Sequence, residues 1–163
     1  RRIAENTRRL PHPFTLRDAE AFVAAAAGTA MFLIEYEGAP IGVTGLEGGG
    51  ALPELGYWLG VDHWGHGFAT EAARAVIDYA FEISAATQVC AGARVVNPAS
   101  RRVLEKCGFQ WTGVELHRFT ALGSWTPVDR FRLDRGVWAS LRRWQAAARR
   151  DSPPIAAFRP AAE

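Results

Sequence analysis

The sequence predicts one α/β (α+β) domain in which a sheet is flanked by helices. Three observations carry this. Six short runs of alternating or branched apolar residues, at 31–36, 41–46, 54–59, 88–95, 109–120 and 128–133, have the period of strands. Four further segments, opening near Thr15, Phe68, Asn97 and Val137, have helical spacing or helical caps. The chain has 163 residues, 48% hydrophobic and 22% charged, enough to bury a core in one domain of ordinary globular composition. That domain is expected over 1–150, with a loose tail over 151–163 that holds Pro153, Pro154 and Pro160.

Taken in order, Arg1-Arg2-Ile3-Ala4-Glu5 reads as the middle of a helix, and Leu10-Pro11-His12-Pro13 breaks it. Thr15 can cap a helix, with Asp18 three residues on, that runs to about Ala27 and closes at Gly28. Met31–Tyr36 and Ile41–Leu46 form a hairpin about Glu37-Gly38. Gly48-Gly49-Gly50 is a connecting loop. In the next strand Leu55, Tyr57 and Leu59 alternate with Glu54, Gly56 and Trp58. Helix 68–83 has one apolar face of Ala69, Ala72, Ala73, Val76, Ile77, Ala80 and Phe81. Each of its larger members, if fully buried, contributes ~1.5–3 kcal/mol. Gln88–Val95 is small and branched, hence a central strand. Asn97 caps the following helix with Pro98 at its first position, and Gly108 ends it. Phe109–Thr120 and Val128–Leu133 read as a closing antiparallel pair joined near Gly123. The last helix, Val137 to about Ala148, has Val137, Leu141 and Trp144 on one side and arginines on the other.

The stretch that points to chemistry is Trp58-Leu59-Gly60-Val61-Asp62-His63-Trp64-Gly65-His66-Gly67-Phe68-Ala69-Thr70. A strand enters a glycine loop and the loop enters a helix. The first N–H groups of a helix have no intrahelical acceptor and carry the positive end of its dipole, so a phosphate or pyrophosphate suits the place. Gly65 and Gly67 let backbone approach such an anion closely. The P-loop of nucleotide hydrolases would need Gly-Lys-Ser/Thr where Gly67-Phe68-Ala69 stands, and the dinucleotide fingerprint a glycine where Thr70 stands.

A second motif follows, Asn97-Pro98-Ala99-Ser100-Arg101-Arg102-Val103-Leu104-Glu105-Lys106-Cys107-Gly108-Phe109. With Glu54–Leu59 and Trp64–Ala72 it resembles the GNAT superfamily of N-acetyltransferases over roughly residues 10 to 138, most of all the RimJ/RimL-like branch, in which Trp is common at the position of Trp64. The resemblance implies the GNAT acyl-CoA N-acyltransferase fold, a mixed and mostly antiparallel central sheet flanked by helices. The strand that usually opens such chains is missing from this sequence. It implies acetyl-CoA as cosubstrate, held by the loop from Trp64 through Gly65, His66, Gly67, Phe68, Ala69 and Thr70. It also implies that the main chain from Leu59 to Val61 pairs with the pantetheine arm, that Asn97 hydrogen-bonds it, and that strand 54–59 splays from strand 88–95 to admit it.

Acyl transfer from a thioester to an amine requires the donor held, the carbonyl polarised, the amine deprotonated and the thiolate released. Many relatives have a tyrosine on the second helix as acid for the thiolate; Leu104 stands there, and Ser100 is the nearest hydroxyl. A thiol of pKa ~8.5 leaves without a strong acid. For the base, Glu54 on the strand beside the thioester is the first candidate, with Glu47, Glu115 and His117 as rivals. Cys107, in the last turn of its helix, is expected to be buried and inert. His63 and His66 have no third ligand nearby, so no metal is expected.

The net charge of +2 argues against nucleic acid, and the absence of a long apolar run against a membrane span. Two distant cysteines fit a reducing cytoplasm. The reading is an N-acetyltransferase moving the acetyl group of acetyl-CoA to a primary amine, a protein N-terminus or a small molecule, by direct transfer in a ternary complex. A non-catalytic acyl-CoA-binding module and a structural domain with a vestigial loop are the alternatives, and monomer and homodimer both stay open.

Overall fold

The computed structural model describes residues 1–48, 52–83 and 85–151, the last four of them by backbone alone. Four helices, α1 (Leu16–Ala26), α2 (Phe68–Ile83), α3 (Pro98–Lys106) and α4 (Arg135–Asp151), accompany one six-stranded sheet. Its strands are β1 (Ala30–Tyr36), β2 (Ala39–Glu47), β3 (Glu54–Leu59), β4 (Gln88–Arg94), β5 (Gln110–Phe119) and β6 (Ser124–Asp134). They lie in the order β1-β2-β3-β4-β6-β5, and every neighbouring pair is antiparallel except β3–β4. This is the mixed, mostly antiparallel sheet expected. Among the described residues no strand precedes Ala30.

The parallel pair needs a crossover, and α2 supplies it. Its buried face of Ala73, Val76, Ile77, Ala80 and Phe81 packs with Leu46 and Leu55, Ala91 from β4, Leu104 from α3, and Phe131 and Leu133 from β6. Trp138 of α4 lies 5.1 Å from Phe81 between ring centroids, and its indole N–H donates to Asp78 Oδ1 at 2.7 Å. Helices α2, α3 and α4 thus cover one face of the sheet. By strand alternation the opposite face carries Glu54, Gly92, Arg94, His117 and Arg130.

Most element bounds follow the sequence. Thr15 and Asp18 form a reciprocal capping box, and Glu37 and Gly38 both take positive φ in the β1–β2 turn. Three readings need correction. Residues 1–5 do not lie mid-helix: only a 3-10 turn forms at Ala4–Asn6. The Thr7 hydroxyl bonds the Ile3 carbonyl at 3.1 Å and the Asn6 amide bonds the Arg2 carbonyl at 3.0 Å, so side chains take the acceptors a longer helix would use. Strand β6 starts at Ser124, not Val128. Pro127 hides this, but it stands opposite Val95, one residue past the end of β4, where its carbonyl accepts from Val95 N at 3.2 Å and the missing N–H costs only the reciprocal bond beyond that end. Helix α4 opens at Arg135, whose side chain donates to the Ala86 carbonyl. The Gly49-Gly50 part of the loop and the tail from 152 onward fall outside the described residues; Asp151 is the last residue of α4.

Candidate active site

The loop between β3 and α2 begins with a 3-10 turn at Val61–His63. Gly65 and Gly67 then turn the chain with φ of +84° and +89°, in the left-handed region where side chains are strained. Neither glycine is there for lack of room, since a Cβ on either would meet nothing within 4 Å. The first helical bonds run from Thr70 N and Glu71 N to the Gly67 carbonyl, at 2.9 and 3.1 Å. Upstream, His63 N and Trp64 N are also satisfied, by Gly60 and Val61 carbonyls. The N–H groups of Gly65, His66, Gly67, Phe68 and Ala69 therefore have no main-chain acceptor among the described residues, while that of Thr70 is committed. His66 is exposed and its ring stacks on Phe68 at 5.9 Å.

The opening lies beside this loop. β3 and β4 pair only at Glu54↔Cys90 and Leu55↔Ala91, and beyond these they separate. Gly60 N bonds the Ile41 carbonyl on the β2 side at 2.8 Å. By antiparallel alternation Tyr57 and Leu59 turn their main-chain groups to the open side. Trp64 closes part of it: its indole N–H donates to the Leu59 carbonyl at 2.9 Å, and the Arg2 guanidinium sits 4.8 Å above its ring. Loop, opening and polar sheet face join in one cleft of roughly 1120 Å³, also lined by Asn97, Ser100, Arg102, Lys106, His117 and Arg130. That is just above the ~300–1,000 Å³ of an ordinary pocket for a drug-sized ligand.

On the helix side of the opening, Asn97 caps α3 by accepting Ser100 N at 3.2 Å. Tyr57 Oη reaches across from β3 to Ser100 Oγ at 2.9 Å and to the Ser100 carbonyl at 3.2 Å. Burial pushes the Tyr57 hydroxyl well above the usual phenol range, so it stays protonated. Leu104 is fully buried in the core, and its neighbour Val103 is the one that lines the cleft.

On the strand side, the four groups weighed as base meet in one network. Glu54 Oε1 accepts from Arg130 Nη1 at 2.7 Å. Arg130 Nε lies 3.4 Å from Glu115, whose other contact is His117 Nε2 at 2.9 Å. His117 Nδ1 faces Arg8 at 3.4 Å, and Arg8 and Arg9 both pair with Glu47, at 3.5 and 2.9 Å. Burial by itself would raise the Glu54 pKa, but the hydrogen bond and charge of Arg130 outweigh it and hold the carboxyl below the usual range. The β5 bulge at Trp111–Gly113, opposite Arg130, shifts the register of this strand ahead of Glu115.

The family model for the acetyltransferase (GNAT) domain matches residues 2–110, about two thirds of the chain. The chain belongs to the GNAT family. Among curated relatives of this GNAT chain, the probable N-acetyltransferase YjcK of Bacillus subtilis is 41% identical over 71 residues, 44% of this chain and 39% of the relative. The FsC-acetyl coenzyme A-N(2)-transacetylase of Aspergillus fumigatus is 27% identical over 109 residues, 66% of this chain and 46% of that protein. The chain thus spans less than half the length of these two relatives. Of solved structures, a GNAT-family acetyltransferase from Bacillus anthracis aligns with TM-score 0.67 at 23% identity, covering 76% of each chain. A spermidine N-acetyltransferase from Vibrio cholerae, in complex with CoA and spermine, aligns with TM-score 0.67 at 21% identity, over 80% of this chain and 82% of that one. Likeness at that identity speaks for the shared fold.

Within this GNAT domain, Leu59, Glu54, Ser100, Asn97 and, of residues 64–70, all but the exposed His66 line the cleft. Val61, half-buried in the 3-10 turn, does not line it. Cys107 is buried, and burial pushes its thiol up to about 11. Sequence reasoning missed Tyr57 and Arg130. Tyr57 could have been noticed as the one hydroxyl on the apolar side of β3, in line with Leu55 and Leu59. Arg130 carries no local signal, because only the β4–β6 register sets it opposite Gly92 and next to Glu54. Among the described residues no helix is long and apolar enough to cross a membrane.

Proposed function

We propose that this protein is an N-acetyltransferase that transfers the acetyl group of acetyl-CoA to a primary amine, directly and within a ternary complex. The observation that carries the reading is the junction, in one cleft, of five unpartnered amides at the start of α2 with the separated ends of β3 and β4. Such amides suit a pyrophosphate, and open strand groups suit an extended amide-bearing arm. Arg102 and Lys106, one turn apart on the cleft side of α3, add positive charge for phosphate. The free donors of Asn97 Nδ2 are available to the arm, since its oxygen is the one used in the cap.

Bound acetyl-CoA supplies an activated acyl carbon. The new N–C bond forms as the C–S bond breaks, and the proton lost by the amine goes to Glu54. That carboxylate is ionised at neutral pH and is a weak base, which suffices to take the proton as positive charge builds on nitrogen. Glu47 is held by two arginines, and Glu115 is mostly exposed, which favours Glu54 over both. Where Tyr57 gives its one proton to Ser100 Oγ rather than to the Ser100 carbonyl, the Ser100 proton is left for the departing thiolate. The RimJ/RimL-like assignment rests on Trp64 and the motif order, and it leaves a protein N-terminus or a small amine as acceptor.

Calorimetry with acetyl-CoA, followed by a thiol-release assay with a panel of amines, tests the reading. Folded protein that fails to bind acetyl-CoA would overturn it. One observation favours a non-catalytic acyl-CoA-binding module: each carboxylate weighed as base is ion-paired. Binding without thiol release on any amine would select that alternative.

A further inference from the structure

Arg94, the last residue of β4, lines the cleft on the same sheet face as Glu54 and Arg130. Its neighbours hold it in place without a direct ion pair, and the nearest carboxylate, Glu5, is paired with Arg1 at 2.6 Å. Nη1 donates to the Glu5 main-chain carbonyl at 2.8 Å, and the guanidinium lies 5.6 Å over the Phe119 ring. Its Nε is buried and has no hydrogen-bond partner. Arg8, Arg9 and Arg130, the other arginines on this side of the cleft, are each held by a carboxylate. Arg94 has no such ion pair among the described residues. An anion in the cleft that pairs with the open side of this guanidinium makes a charge-assisted hydrogen bond and displaces no carboxylate already paired there.

The position is close to the chemistry. A Cβ on Gly92 would stand 2.8 Å from Arg130 Nη1 and 3.7 Å from Glu54 Oε1, so the Glu54–Arg130 pair sits over Gly92. Arg94 follows two residues along the strand, about 7 Å away between Cα atoms. A small molecule can therefore offer its amine to Glu54 and an anionic group to Arg94 together. The acceptor side of the lining has four arginines, Arg8, Arg9, Arg94 and Arg130, and two glutamates, Glu47 and Glu54; Glu115 pairs with Arg130 and the Glu5 carboxylate lies within reach of the Arg94 charge, so Arg94 alone of the four has no direct carboxylate partner among the described residues. A zwitterion can set its carboxylate on Arg94 and its amine on Glu54, whereas a polycation has no group for Arg94.

We propose that the acceptor is a small amine that also carries a carboxylate, seated on Arg94, and that polyamines are poor acceptors. This rests on the acetyltransferase reading above and adds the substrate class to it. Arg94 is a specificity-determining residue here, acting on the acceptor and not on acetyl-CoA.

The test is thiol release from acetyl-CoA with matched pairs: L-leucine, L-phenylalanine and β-alanine, each against its carboxamide, with spermidine as the polycation. The expected result is that at least one carboxylate exceeds its carboxamide in kcat/KM by about 10- to 100-fold, the scale of a charge-assisted hydrogen bond. Spermidine should fall below it. Arg94→Gln should abolish the preference through KM for the acceptor, with acetyl-CoA affinity unchanged, and Arg94→Lys should restore part of it. Carboxamides or spermidine matching the carboxylates in the wild-type protein would overturn the inference, as would a preference that survives Arg94→Gln. Binding of acetyl-CoA with no turnover on any member also counts against it. The wild-type comparison decides even if a variant fails to fold. Absence of acetyl-CoA binding in calorimetry is the separate result that removes the underlying reading.

Discussion

The Tyr57 hydroxyl stands 2.9 Å from Ser100 Oγ, so a strand residue and a helix residue meet across the opening where β3 and β4 part. The contact gives the Ser100 hydroxyl a direction. If Tyr57 donates, the Ser100 proton points away from it and is free for a leaving group. Ser100→Ala should then lower kcat by about 10- to 100-fold, with a smaller effect on acetyl-CoA affinity, as befits a hydrogen bond used mainly in the transition state. Tyr57→Phe should have a smaller effect, and the double variant should be no worse than Ser100→Ala, because both act through one proton. Full kcat in a folded Ser100→Ala protein would mean that the thiolate leaves unaided.

The Glu54–Arg130 pair predicts how activity depends on pH. Burial pushes the Glu54 pKa up, while the Arg130 hydrogen bond and charge pull it down by more. Arg130→Gln removes the downward pull and leaves the burial. The acid limb of kcat/KM should therefore move to higher pH in the variant. A limb that stays in place in a folded Arg130→Gln protein would remove Glu54 as the base and return attention to His117.

The same pair bears on stability, and here too the contribution is lost toward acid pH. The folded pKa of Glu54 lies below the unfolded value of ~4.3. Its contribution is therefore present above ~4.3 and lost as pH falls through the folded value. Glu54→Gln should flatten the stability curve in that acidic window and leave its shape near neutral pH unchanged, which urea melts at a series of pH values would measure.

How much of this was legible in the sequence depends on how local each cause is. The bounds of β3 and α2 follow from alternation and helical spacing, and the Asn97–Pro98 start of α3 from capping chemistry, so both motifs were readable. The start of β6 was hidden because Pro127 argues against a strand unless one knows that β4 ends beside it. The base network was half legible. Glu47, Glu54, Glu115 and His117 could be named one by one, but their common link is Arg8 and Arg130, which register and chain return bring together from far apart. Arg94 was illegible for the same reason: its isolation is a property of its neighbours, Glu5 and Phe119, not of its own strand.

Cys107 offers a test of direct transfer. Its thiol is buried, its sulfur faces the Thr70 carbonyl at 3.8 Å, and burial pushes its pKa up to about 11, so almost no thiolate exists at neutral pH. Incubation with acetyl-CoA alone should leave both Cys90 and Cys107 unmodified by mass spectrometry. A stoichiometric acetyl thioester on either would replace the ternary complex with an acyl-enzyme route.

The glycine loop makes the last prediction, and it separates strain from recognition. Gly67 has φ +89° in an exposed loop with open space where a Cβ would go. Gly67→Val has two possible fates. If the loop keeps its shape, the variant carries a backbone strain of about 1–3 kcal/mol. If the loop relaxes, the fold escapes the strain but the amides of residues 65–69 lose their common aim. No main-chain hydrogen bond among the described residues restrains those amides, so relaxation is the cheaper course. The expected result is near-wild-type urea stability with acetyl-CoA affinity reduced by about 10-fold or more, the loss of one or two hydrogen bonds to a charged group. Gly123→Val is the control: it has φ +64° and equal room, but lies in the turn before β6, outside the cleft lining. It should lower stability and leave acetyl-CoA affinity alone. Unchanged affinity in a folded Gly67→Val protein would separate the loop from the phosphate.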